Sequence, residues 1–277
     1  MFASLLLTFR EGLEAALIVG IILGYLAQTG HADRRKWVWA AVGVATALSV
    51  GLALGLQFIG AELEGQAEYI FEGVAMLLAV VVLTWMIFWM RNQARSIKGT
   101  LEAEVRVAVR QRHNWALFSM AFLAVFREGI ETALFLTATS LVSDGLSVWI
   151  GGILGLAIAI AVGWAIYSST ARLNVRRFFD VTSVLLVIFA AGLFAHGIHE
   201  LQEAHWLPVI VEHVWDTSPV LDDGSTVGSL LRTLVGYNDN PALLEVTGYL
   251  AYWVMVLVSV NWWTNRRTVN RRAPLNA

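Results

Sequence analysis

No cysteine occurs among the 277 residues, which excludes disulfides, thiolate metal sites and cysteine nucleophiles. Charge is nearly as scarce: Asp, Glu, Lys and Arg make up 14% of the chain and leave a net −2, while 57% is hydrophobic and mean hydropathy is +0.65. A soluble domain of this size cannot hide so much apolar surface, so the bilayer is its solvent and no nucleic-acid partner is expected. Nothing basic precedes Arg10, and the first apolar stretch runs on to Tyr25. That pattern differs from a cleaved signal peptide, and the segment is expected to stay. A nucleotide-binding loop is also missing, which argues against direct ATP hydrolysis. What is plentiful fits the same solvent: 23 glycines and 12 tryptophans suit close helix packing in lipid and anchoring at its two interfaces.

Apolar runs long enough to cross about 30 Å of hydrocarbon lie at 2–28, 37–60, 69–90, 115–141, 147–168, 180–200 and 244–264. Backbone polar groups in lipid must be satisfied within the segment, and nothing alternates as barrel strands do, so the expected fold is all-α with seven transmembrane helices. Basic residues gather after the first, third, fifth and seventh runs, as in Arg34, Arg35 and Lys36, in Arg91 to Arg112, in Arg172, Arg176 and Arg177, and in Arg266 to Arg272. The positive-inside rule then puts the amino terminus outside and the carboxyl terminus in the cytoplasm. Residues 201–243 read as a partly helical outer cap on a single transmembrane domain spanning 1–277. Leu101, Val105 and Val109, four apart, predict a short amphipathic helix within 91–114.

Residues 9–17 recur at 126–134 with seven of nine positions identical. The first copy lies in span one and the second in span four. The repeat unit is therefore three helices, 1–90 and 115–200, and an odd number of crossings inverts the second copy, leaving 244–264 as an added seventh helix. Glu14 is 11 residues before Tyr25 and Glu131 is 11 before Val142, so each lies about 16 Å from the end of its span, near mid-bilayer. The three-residue spacing puts Glu11 with Glu14, and Glu128 with Glu131, on one helical face. Arg10 is four residues from Glu14 and Arg127 four from Glu131, a reach that halves the net charge each motif carries into lipid. Gly12 and Gly129 are expected to let the two motif helices approach closely.

These residues can be read as buried Arg–Glu pairs that lock helices together. Glutamates outnumber arginines two to one in each copy, however, and the surplus negative charge calls for a cation. Carboxylates without thiolates suit hard ions such as ferric iron, manganese, magnesium or calcium. His196, His199, Glu200 and Glu203 recur at i, i+3, i+4 and i+7, forming a candidate outer capture stripe with His205 just beyond, or simply a polar helix end. Glu72 could extend a path inward or snorkel to the interface.

The doubled Arg-Glu-Gly-x-Glu motif in the first and fourth of seven helices resembles the iron permease family of the fungal high-affinity and bacterial EfeU type. Phe71-Glu72-Gly73, Thr84-Trp85-Met86 and Gly236-Tyr237 extend the resemblance over nearly the whole chain. It implies uptake of iron, in ferric form at the membrane step, with Arg10, Glu11, Glu14, Arg127, Glu128 and Glu131 handling the metal. It also implies a periplasmic iron-binding protein and an oxidase or peroxidase as partners, no cofactor, no enzymatic activity, and a place in a bacterial inner membrane. Alternatives are a permease for lead, manganese or ferrous iron, a membrane iron sensor, or a di-iron enzyme. Di-iron centres use Glu-x-x-His pairs, and none occurs here.

Overall fold

The computed structural model describes residues 1–93, 97–110, 114–168 and 175–271. Arg95, Arg112, Arg172 and Arg272 of the basic clusters lie outside them. The elements are helices: α1 (Phe2–Gln28), α2 (Arg35–Glu62), α3 (Gln66–Gln93), α4 (Ile97–Arg110), α5 (Asn114–Val142), α6 (Gly145–Ser168), α7 (Val175–Glu203), α8 (Thr226–Val235) and α9 (Leu243–Arg271). Each apolar run read from the sequence falls within one helix. Among the described residues five helices, α2, α3, α6, α7 and α9, are long and apolar enough to cross a membrane. The two motif helices, α1 and α5, are 27 and 29 residues long but are not among the five.

The exterior is as apolar as the interior: Leu48, Phe58, Trp85, Ile160, Trp164 and Leu257 are exposed. In water such a surface would be untenable. This is an all-α integral membrane protein.

Glycines record how the helices run. Gly151, Gly155 and Gly163 of α6 meet Met1, Leu5 and Ala16 of α1 in the same order, so α1 and α6 are parallel. Trp37 stacks near Trp115, with ring centroids 6.1 Å apart, and Gly129 packs on Ser49, so α2 and α5 are parallel as well. Gly73 meets Leu201 and Gly197, whereas Gln66 donates to the Ala204 carbonyl oxygen at 2.8 Å, so α3 and α7 are antiparallel. Because only residues 143 and 144 join α5 to α6, α1 and α5 run in opposite directions. Exchanging α1 with α5, α2 with α6 and α3 with α7 turns the α1–α6 pair into the α5–α2 pair and returns the α3–α7 pair to itself, as an approximate two-fold axis requires.

The motif glycines do not lie between the motif helices. A Cβ on Gly12 would come 2.8 Å from the Ala159 Cβ of α6, and one on Gly129 would overlap Ser49 of α2. One residue along a helix is a 100° rotation, so each glycine turns away from the neighbour its glutamate faces. Close approach is instead made to the other repeat's second helix.

A side chain at Gly155 would overlap the Leu5 carbonyl oxygen. Gly155→Leu should therefore separate α1 from α6 and lower the folded yield, as measured by the monodisperse fraction in detergent; an unchanged yield would mean that this contact is not needed.

Two cores flank the axis. One gathers Leu7, Met76, Leu83, Phe135 and Leu193; the other gathers Ile22, Leu26, Val38 and Leu117 with Val105 and Ala108 of α4. The amphipathic face of α4 is thus spent on the bundle. Residues 201–243 fold back on themselves: Thr217 N donates to Asp239 O at 2.8 Å and Leu243 N to Val211 O at 3.1 Å. Ser225 caps α8 and Gly236 ends it at φ +72, a left-handed conformation suited to glycine. Gly236 also packs against the backbone of Gly192 in α7.

Candidate metal centre

The axis brings the two motifs together. Glu11, Glu14, Glu128 and Glu131 are all buried. Carboxylate oxygens of Glu11, Glu128 and Glu131 lie within 4.8 Å of one another. Three oxygens spread evenly at about 2.1 Å around one ion are about 3.6 Å apart, so modest side-chain movement would bring the trio onto a cation. Glu14 lies outside this trio; Arg10 Nη2 holds its Oε1 at 3.2 Å. Of the four glutamates expected to form one site, three thus lie within this distance, and the fourth, Glu14, also has a buried oxygen without a hydrogen bond.

One oxygen from each of the three, Oε2 in every case, is buried without a hydrogen-bond partner. A buried carboxylate oxygen with no donor is costly, and a cation is the simplest group that would satisfy all three at once.

The arginines differ. Arg10 is fully buried, with Nη1 at 2.8 Å from Glu11 Oε1 and 2.9 Å from Met86 Sδ. Arg127 keeps 37% of its side-chain surface open, donates from Nε to Glu131 Oε1 at 2.9 Å, and stacks on Trp89 with 4.2 Å to the ring centroid. Met86 and Trp89 were not assigned a role from the sequence. They come from α3, far along the chain, and nothing local marks them beyond their place in or beside Thr84-Trp85-Met86.

A cavity of about 250 Å³ opens between α1, α2, α5 and α6 and reaches Glu11 and Glu128. Its lining includes the hydroxyl residues Thr8, Thr46, Ser49 and Thr132. Thr8 Oγ1 is buried and unpartnered, whereas Ser49 and Thr132 donate to carbonyl oxygens one turn back in their own helices.

The candidate outer stripe does not converge. His196 is buried and pairs through Nδ1 with the Gly192 carbonyl oxygen at 3.0 Å. His199 Nδ1 lies 3.0 Å from Glu245 Oε1, Glu200 is half-buried, and Glu203 and His205 are exposed. The helix end is wedged against α9, and this splits one helical face into a buried part and a wet part. Glu245, which the sequence reading passed over, also accepts from Asn238 Nδ2 at 2.9 Å and Ala242 N at 3.0 Å. Its only signal was being the single acidic residue in the seventh run. Glu72 is half-buried and close enough to Glu200 and Glu68 to feel their charge.

A second acidic group, Asp222, Asp223 and Asp239, lies in the cap. Arg232 donates to Asp223 at 3.3 Å, and backbone N–H groups of Gly224 and Asp223 donate to Asp222 and Asp239. Those carboxylates already have donors.

The family described as Iron permease FTR1 matches residues 1–264. Ferrous iron permease EfeU of Escherichia coli O6:H1 is 39% identical over 264 residues, covering 94% of this chain and 95% of that protein. Its namesake in Yersinia pestis is 37% identical over 260 residues, covering 93% and 92%. No solved structure matches the chain.

Proposed function

This chain belongs to the iron permease FTR1 family, and we propose that it moves ferrous iron through the Glu11, Glu128 and Glu131 trio near the middle of the membrane. The observation that carries this reading is the set of three buried carboxylates with an unpartnered oxygen each, drawn from both repeats. The ferric form implied by the resemblance gives way to the ferrous one for two reasons. The curated relatives are named ferrous iron permeases. At full ionisation the four glutamates and two arginines would carry −2 (4 − 2 = 2), which a divalent ion would neutralise. Oxygen ligands alone would also accept manganese, so competition by manganese is expected.

All seven long helices span the membrane in this reading, α1 and α5 included, since about 40 Å of helix is ample for 30 Å of hydrocarbon. The two three-helix units then have inverted topology with the site on their axis, the arrangement by which transporters place a site at mid-depth. The amino terminus is outside, the carboxyl terminus cytoplasmic, and the membrane a bacterial inner membrane. Its potential favours inward movement of a divalent ion by about 4.6 kcal/mol per 100 mV. A periplasmic iron-binding protein or oxidase would supply the metal.

The cavity facing Glu11 and Glu128 gives a hydrated ion a place to shed water against hydroxyl groups before meeting the carboxylates. Glu72 and Glu200, within electrostatic reach of each other, would gather cations upstream. The double variant Glu72→Gln, Glu200→Gln should raise the half-saturating iron concentration and spare the maximal rate. A lost maximal rate at saturating iron would put both residues in the translocation path instead.

The reading is tested by uptake of radioactive ferrous iron into proteoliposomes of the purified chain under reducing, anaerobic conditions. Saturable uptake driven by an inside-negative potential is expected. Iron that binds but never enters the lumen would make the chain a sensor or scaffold.

A further inference from the structure

Arg10 and Arg127 occupy equivalent positions of the repeat, yet their surroundings assign them different parts in the cycle. Arg10 is fully buried and bonded to Glu11, Glu14 and Met86, with Phe179 5.8 Å from its Cζ. Moving it would break several contacts at once. Arg127 holds one carboxylate through Nε, and its other face rests on the Trp89 ring at 4.2 Å. More than a third of its side chain is open.

Glu131, the carboxylate that Arg127 holds, belongs to the trio. A cation settling among Glu11, Glu128 and Glu131 competes with both arginines, Arg10 on Glu11 at 2.8 Å and Arg127 on Glu131 at 2.9 Å, and of the two only Arg127 has an open side chain that can swing away.

We propose that Trp89 is a positioning residue: it seats Arg127 so that this arginine releases Glu131 when the cation binds, while Arg10 stays on Glu11 and Glu14. The inference rests on the midplane-site reading above. A ring quadrupole acts on net charge. While Glu131 pairs with the guanidinium, the carboxylate's opposite charge offsets part of the ring's attraction. Once the cation has taken the carboxylate, the same ring faces an uncompensated positive charge in a medium of low polarity, where the contact is strongest. The ring therefore stabilises the loaded state more than the empty one and raises the affinity for metal.

The test is ferrous iron binding to the purified full chain in detergent, titrated calorimetrically without oxygen, with a melting temperature recorded for each variant. Trp89→Leu should weaken binding by roughly tenfold, the scale of a desolvated cation–π contact. Trp89→Phe, which keeps a π face, should recover most of that loss. In an Arg127→Gln background, Trp89→Leu should change nothing, because no guanidinium needs a seat. Equal weakening in both backgrounds would reduce Trp89 to packing and overturn the proposal, as would wild-type affinity in Trp89→Leu. Should a double variant fail to fold, the Leu-against-Phe comparison decides, since equal losses in the two would also overturn the seat. Wild-type affinity in Glu128→Gln would remove the midplane site and the seat with it, whereas lost affinity there with unchanged affinity in Trp89→Leu removes the seat alone.

Discussion

Iron uptake should fall to the level of empty vesicles in Glu128→Gln and in Glu11→Gln, with as much folded protein in the membrane as for the wild type. Glutamine keeps the shape of glutamate and removes its charge, so the packing around the axis is spared while the cation loses an anionic ligand. Glu128 is the cleaner position. Arg127 bonds Glu131 instead, and Glu128 Oε2 has no hydrogen-bond partner, so neutralising it relieves repulsion in the empty site. For Glu11, the amide would still accept from Arg10 Nη1, now 2.8 Å away. A stability gain alongside lost transport would be the signature of a functional charge, since evolution retains costly intramembrane groups for what they do. The measurement is radioactive iron uptake normalised to folded protein. Wild-type rates in both variants would mean that the trio is a structural pairing.

The second large effect is on folding. Arg10→Ala should destabilise the protein severely, because it strands Glu11 and Glu14 in the interior without their counter-charge; removing one partner of a buried pair typically costs about 3–5 kcal/mol. Against a total stability on the order of 5–15 kcal/mol, that loss should show as a large drop in monodisperse protein after detergent extraction. Arg127→Ala should cost much less, since its side chain is 37% exposed and it bonds a single carboxylate. Arg10→Lys should fold better than Arg10→Ala but transport poorly, because an ammonium cannot span Glu11, Glu14 and Met86 with a planar fork. Equal losses on replacing either arginine by alanine would contradict the asymmetry seen between the two halves.

The motif pair was legible in the sequence because polar strings seven-ninths identical stand out against apolar surroundings. The helices were legible from the lengths of the apolar runs. Partner choice was not. Spacing put Glu11 and Glu14 on one face, but which of them comes nearer to Glu128 and Glu131 depends on how α1 crosses α5, which spacing does not state. The motif glycines were assigned to the wrong interface, because a sequence states that a close approach occurs and not with which helix. Met86, Trp89 and Glu245 were missed for a related reason: each acts through a residue at least 38 positions away along the chain, Trp89 on Arg127 being the nearest such pair. The outer stripe shows the converse. Its periodicity is real, but α9 covers part of the face and turns His199 into a tether to Glu245.

The central claim is that one cation sits among three carboxylates contributed by both repeats, and an iron-loaded structure recorded at the iron absorption edge tests it most directly. The account predicts a single strong anomalous peak within about 2.3 Å of oxygens from Glu11, Glu128 and Glu131, with the Arg127 guanidinium withdrawn from Glu131 and Arg10 in place. A loaded, transport-competent protein whose only peak lies at Asp222, Asp223 and Asp239 of the cap, with the three glutamates unchanged, would contradict it.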